Sequence, residues 1–305
     1  DPRCRFRRVL SDGRRAARSS VVMDAAWRDL IEKKAEVTED LVSTRRELFG
    51  RAEASAAELK GAAAQVEVDV VVAGAGFMAL YYLGVEMVLS AAGVKIVRVA
   101  GASSGAMMPM ELRVLGSERV VDLYLAYGRL QDASPRSFLA SAWRADRHWK
   151  MWADALFRDE AARLAVDGTV TASVTRLTWR GFANALYSRY PTLELARAVY
   201  YATGTGLTWC DGYYCTDGGV TDGAPRFADA LRPQLIVRST RCGLSTDKVA
   251  RFGEADVAAF IRLGQDDAQA FLRTRLVSPR DPALPFVNDS GSLTIIWPGD
   301  EPTTA

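Results

Sequence analysis

The tract Gly101-Ala102-Ser103-Ser104-Gly105 spells G-x-S-x-G between a β-branched run, 95–100, and an apolar, small-residue stretch suited to a helix. A serine pinned on a sharp strand-to-helix turn projects its hydroxyl above a sheet, and the flanking glycines let neighbouring backbone approach without a Cβ clash. The N-terminus of the following helix favours developing negative charge. These are the properties of a nucleophile for acyl transfer, with Ser103 attacking and the Ser104 N–H helping to hold the oxyanion. Five residues of this kind also match by chance, so the position after a predicted strand is what gives the pattern meaning.

A second glycine turn, Gly74-Ala75-Gly76, ends the β-branched run 66–73. Its small side chains leave backbone N–H groups uncovered, as an oxyanion hole requires. The same stretch, Gly74 to Ala79, also satisfies the dinucleotide fingerprint G-x-G-x-x-G/A. That chemistry wants an acid at the end of the second strand, where this chain has Val97-Arg98-Val99-Ala100-Gly101. Arg98 is the sole candidate there for pairing a cofactor phosphate. Both readings of the first loop stand at this level.

A serine nucleophile needs a base. The chain has one histidine, His148, set in Trp143–Trp152, a tract that reads as a helix with aromatic and basic faces and suits a surface or packing role. The other option is a carboxylate acting directly on the serine, and Thr216 to Pro225 offers Asp217 and Asp222 on a glycine-rich stretch. Such stretches are commonly plain turns; the conjunction with the serine tract singles this one out.

The elements that must position these residues alternate. Strands are predicted at 66–73, 95–100, 169–177 and 234–238, and helices at 77–92, 119–131 and 256–273, which predicts an α/β layered domain. From about Asp24 to Lys60 the residues Trp27, Leu30, Val37, Leu41 and Leu48 fall on one helical seam, broken by Gly50 and Gly61, which predicts a helical extension packed on the main domain rather than a coiled coil. The expected division is 1–65, a basic tail and helical extension, and 66–305, the α/β domain. Residues 1–20 hold seven arginines and two acids, which suits a solvated arm or an organelle leader.

Composition narrows the classes. With 39 Lys+Arg against 37 Asp+Glu, the net charge of +2 argues against a nucleic-acid-coating protein. The uncharged stretch Val70–Val85 is shorter than the roughly 20 residues a membrane-spanning helix needs. Four cysteines without Cys-x-x-Cys spacing argue against a disulfide scaffold and a zinc finger.

Three motifs in order, Gly74-Ala75-Gly76, Gly101–Gly105 and Asp217-Gly218-Gly219 with its trailing residues to Pro225, resemble the patatin-like phospholipase and lipase family. The stretch Gly74–Val85 is most similar to the branch containing adipose triglyceride lipase and adiponutrin, and the similarity covers roughly 66–275. The resemblance implies a three-layer α/β/α domain and a Ser-Asp dyad, with Ser103 as nucleophile, Asp217 as base, and Gly74, Ala75, Gly76 and Ser104 as the oxyanion hole. It implies a hydrolase for esters of acylglycerols or phospholipids, needing no cofactor and no metal. Its partners would be a lipid ester and a membrane or lipid-droplet surface, with no nucleic acid, in a cytoplasmic or lipid-surface location. The departures are Ala75 where the family has Gly or Cys, Met78 where many members have Arg, and Ala79 where Gly is common. Two other classes remain beside it: a dinucleotide-binding oxidoreductase, and an inactive patatin-like scaffold that uses the N-terminal helix as its interaction surface. Trp143, Arg144, Arg147, Trp149, Lys150 and Trp152 suit either a core helix or an amphipathic helix lying at a lipid interface.

Overall fold

The β-branched runs assemble into one mixed sheet. In the computed structural model, which describes residues 38–63, 66–132, 149–204, 206–229, 231–239, 253–276, 286–287 and 292–297, nine strands are found. They are β1 (Glu67–Val72), β2 (Lys95–Ala102), β3 (Val170–Thr178), β4 (Gly181–Tyr187), β5 (Thr208–Cys210), β6 (Tyr213–Asp217), β7 (Gln234–Val237), β8 (Phe286–Val287) and β9 (Leu293–Ile296). The order is β5-β6-β3-β2-β1-β7-β9-β8, with β4 also on β3. The central strands β3-β2-β1-β7 are parallel and every other pairing is antiparallel. Parallel neighbours need crossover connections, and helices supply those after β1 and β2.

The helices are α1 (Glu39–Ala56), α2 (Leu80–Ala92), α3 (Ser104–Leu115), α4 (Ser117–Asp132), α5 (Glu160–Val166), α6 (Leu193–Thr203) and α7 (Glu254–Phe271), with shorter helical pieces at Lys60–Ala63 and 149–156. Their buried apolar side chains meet alternate strand residues, Val68, Val70 and Val72 of β1, Val99 of β2, Val170, Ala172 and Val174 of β3, and Leu235 and Val237 of β7, in one cluster. The residues between them, Val71, Ala100, Ala102 and Ile236, are buried but stand outside it, as a period of two requires. The chain is thus an α/β layered protein with a mostly parallel central sheet. Among the described residues, buried side chains of all seven helices join this one cluster.

The expected N-terminal seam appears as α1, whose Leu41, Leu48, Ala52 and Ala56 are buried in the same cluster as the sheet. Gln265 of α7 donates to the Leu48 carbonyl at 2.8 Å, and Arg45 pairs with the buried Asp122 of α4 at 2.6 Å. Trp27, Leu30, Val37 and the basic start lie outside the described residues. In 149–156, Trp152 is 1 % exposed against the Tyr124 ring, and Trp149 packs half-buried on the cluster. Trp152 therefore belongs to the core, not to a lipid-facing stripe; Trp143, Arg144, Arg147 and His148 lie outside the described residues.

One buried acid gives the fold a pH dependence. Glu111 of α3 is fully buried and hydrogen-bonded by the Tyr124 and Tyr200 hydroxyls; burial pushes its carboxyl up to about 8 from the ordinary 4.5, against both hydrogen bonds. The native state thus holds a proton that the unfolded chain releases. That contribution to stability is present below the unfolded value and is lost as pH rises through the folded one. Glu111→Gln, neutral throughout, is expected to flatten the fall in Tm between about pH 5 and pH 8. Equal slopes in the two proteins would show that another group is responsible.

Candidate active site

Ser103 sits where β2 turns into α3, with φ 54° and ψ −139°. A non-glycine residue held in this region stores strain of about 1–3 kcal/mol and persists only where the surroundings over-determine it. The flanking glycines show what does so. A Cβ on Gly101 would lie 2.1 Å from the Gly105 carbonyl oxygen, and one on Gly105 would lie 2.4 Å from the Val72 carbonyl oxygen of β1. The elbow is that closely stacked on its neighbour strand, so G-x-S-x-G is a packing requirement as much as a chemical one.

Sheet register brings Asp217 to this serine. Along one edge of β3, Ser173 pairs with Leu186 and Val174 with Ala185, both of β4. On the opposite edge Ser173 pairs with Ala102, the last residue of β2, and Val174 pairs with Asp217, the last residue of β6. The parallel β2 and the antiparallel β6 therefore run head to head along one edge of β3 and end at adjacent positions. The residue that follows Ala102 is Ser103. The two candidates, 114 positions apart in the sequence, become neighbours through one shared strand.

The Asp217 Oδ1 accepts a hydrogen bond from the Gly219 N–H at 2.8 Å, and the Ser103 hydroxyl lies near enough to the carboxylate to favour its charged form. Burial pushes this carboxyl above the ordinary aspartate range, opposed by the Gly219 N–H and the nearby Ser103 hydroxyl. A base lifted towards neutrality is a better proton acceptor at working pH than an exposed aspartate. Beneath it lies a polar brace that sequence reasoning missed. Thr175 Oγ1 donates to the Asp217 carbonyl at 2.7 Å and lies 2.9 Å from Thr221 Oγ1, while Asn184 Oδ1 accepts from Ser173 at 2.8 Å and from Thr221 at 3.3 Å. Ser173 and Thr175 are fully buried, so these bonds offset their desolvation. The period-two rule would have put both on one face of the predicted third strand; their partner Asn184 lies on β4, a strand the sequence reading did not find.

The oxyanion set needs correction at Gly74. Its N–H donates to the Gly223 carbonyl at 3.0 Å, which ties the first glycine loop to the aspartate loop and removes that N–H from the expected donors. A Cβ there would also sit 2.9 Å from Ser103 Cβ, so the glycine makes room for Ser103. The Ala75 N–H points to Ser104 Oγ at 3.2 Å. Of the expected donors, this leaves the N–H groups of Gly76 and Ser104 as candidates, while the Ala75 N–H is taken by the Ser104 hydroxyl. Gly76 has φ 58°, a conformation that a β-branched residue strongly resists. Gly76→Val is expected to lower kcat about 100-fold, the order seen when one oxyanion donor is lost, with KM nearly unchanged and Tm lowered by the strained backbone. An unaltered kcat would remove this loop from the chemistry.

Other expected positions resolve plainly. Asp222 accepts from the Ala224 N–H at 3.2 Å and serves its own turn. Ala79 has an ordinary helical conformation and its methyl is buried in the apolar cluster, so this departure from glycine crowds nothing at the site. Arg98, the one phosphate-pairing candidate, lies within β2; it is bonded to Asp69 and, at 2.8 Å, to Asp229, and it stacks on Phe227. A cleft lined by Val114, Leu123, Trp152, Leu156 and Ala162 includes no residue of the elbow or of either loop. Among the described residues no cluster of three or more His, Cys, Asp or Glu is placed to hold a metal, and no helix is long and apolar enough to cross a membrane. Compared with protein-family models the chain matches none, and no curated protein matches it.

Proposed function

We propose that this chain is a serine acyl hydrolase of the patatin-like kind, acting on carboxylic esters of acylglycerols or phospholipids. The observation that carries the reading is the strained Ser103, brought by the shared strand β3 beside the half-buried Asp217 carboxylate. Ser103 Oγ attacks the ester carbonyl carbon while its proton passes to Asp217. The carbonyl oxygen becomes an oxyanion facing the Gly76 and Ser104 N–H groups and the N-terminus of α3. When the carbonyl re-forms, the C–O bond to the alcohol breaks and the alcohol leaves with the proton from Asp217. Water, deprotonated by Asp217, then attacks the acyl-Ser103 ester, and the carboxylic acid departs with Ser103 restored. No cofactor enters this cycle.

The dinucleotide reading is weakened by Arg98, whose guanidinium is committed to two carboxylates and a phenyl ring. The three-layer architecture and the lipid-surface location belong to this proposal and rest on the resemblance alone. A hydrolysis panel of triacylglycerol, phospholipid, galactolipid and a soluble short-chain ester, run beside Ser103→Ala, tests the reading. Turnover of at least one ester, lost in the variant, is expected. Absence of turnover on all four by a folded protein would favour the inactive scaffold.

A further inference from the structure

The strands that carry Asp217 also carry an apolar row. Register sets Trp209 of β5 beside Tyr214 of β6, Tyr214 beside Leu177 of β3, and Leu177 beside Phe182 of β4. One side chain from each of four strands therefore stands in line on one face, with Leu186 two pleats further along β4. That face is not the one packed against helices. Val174, Tyr187, Cys210 and Cys215 point the other way and are buried in the cluster shared with α6, which packs on β3, β5 and β6. The row itself is open: Phe182 is 67 % exposed, Trp209 57 % and Tyr214 55 %, and Trp179 at the β3–β4 tip is 88 % exposed. A contiguous apolar face of this size marks a docking surface.

Its chemistry favours one occupant. Arg176 is paired with Asp211 and Arg189 with Asp167, so the cation this hairpin offers an anionic surface is Arg180 at its tip. The Arg180 guanidinium lies 4.5 Å over the Trp179 ring at the protruding tip, pairing an apolar body with a cation. Indole, phenol and guanidinium at a convex tip are the groups that settle between head groups and acyl chains. The face also reaches the site. Leu177 stands three residues along β3 from Val174, the partner of Asp217, which is about 10 Å at strand rise. Thr221 meets Thr175 on this same face, and Val220, 61 % exposed, extends the apolar surface from the aspartate loop.

We propose that this face seats the protein on an anionic lipid bilayer, with Trp179, Phe182 and the row Trp209–Tyr214–Leu177 at the head-group boundary. The choice of a lipid as occupant rests on the acyl-hydrolase reading; the exposed face does not. The test is co-sedimentation of the full chain carrying Ser103→Ala, which leaves the lipid intact, with phosphatidylcholine vesicles with and without phosphatidylserine. Binding that phosphatidylserine strengthens is expected. The double variant Trp179→Ser/Phe182→Ser should weaken it at least roughly tenfold, because burying one such ring is worth a decade or more. In the active background the same pair should leave soluble-ester turnover unchanged. Should the double variant misfold, Trp179→Ser alone, at the open tip, carries the comparison. Vesicle binding that is absent, or that survives these changes, would overturn the proposal. So would a dimer in sedimentation velocity that the double variant dissolves, since a second copy would then cover the face. Ester turnover without vesicle binding would sink the docking face and spare the hydrolase; vesicle binding without ester turnover would do the reverse.

Discussion

Ser103→Ala is expected to lower kcat/KM on any ester substrate by roughly four to six orders of magnitude, the range over which serine hydrolases lose rate with their nucleophile. A fluorophosphonate probe should label Ser103 in the parent protein and nothing in the variant. Ser104 is the instructive neighbour. It opens α3, and its hydroxyl accepts from the Ala75 N–H, so it is turned to the first glycine loop rather than offered to the carboxylate. Labelling at Ser104, or labelling that survives Ser103→Ala, would refute the assignment. A second signature separates catalysis from architecture. Because Ser103 holds φ 54°, Ser103→Gly should be as inactive as the alanine variant yet more stable than the parent by about 1 kcal/mol, since glycine relieves the strain. A glycine variant less stable than the parent would mean that the turn is not strained by its side chain.

The tracts of the candidate site were legible because each is a local pattern with a local cause. Gly101 and Gly105 are forced by contacts within the elbow and with β1, and a strand-to-helix turn is written in consecutive residues. The parallel core was legible too, since β1, β2, β3 and β7 fall within two residues of the runs at 66–73, 95–100, 169–177 and 234–238. The antiparallel additions were not. Every residue of β4 but Ala185 and Tyr187 is exposed, so Gly181–Tyr187 has no burial alternation for the sequence to advertise. The β5–β6 hairpin is short and turns through Asp211 and Gly212, and the sequence reading entered that region only at Thr216, as a loop. Those omissions hid the head-to-head junction of β2 and β6, which alone explains why Asp217 rather than Asp222 reaches the serine. They also hid the brace at Asn184. The engagement of the Gly74 N–H was illegible for a related reason: its partner, Gly223, is 149 residues away, and no local rule couples the two loops.

Asp217→Asn should lower kcat by about 100- to 10,000-fold, the usual contribution of a general base, because the amide cannot take the Ser103 proton. His148→Gln, by contrast, should leave most activity, and loss in that variant with retention in Asp217→Asn would replace the dyad by a histidine-based arrangement. The pH profile follows from the direction of the shift. Burial raises the Asp217 carboxyl above its ordinary 3.8, so activity should rise with pH along an acid limb displaced above that value, as the base loses its proton. Stability runs the other way. A carboxyl whose folded value is raised holds its proton more tightly in the native state, so its contribution to folding is present below the unfolded value and is lost as pH rises through the folded one. The parent protein therefore carries at neutral pH a half-buried charge that the asparagine variant lacks. Asp217→Asn is expected to melt higher than the parent at pH 7 and to lose that advantage under acid, while remaining nearly inactive throughout. Equal melting temperatures at neutral and acid pH would show that the carboxylate is not held at a cost to folding, and an acid limb at the ordinary aspartate value would show that it is not the base.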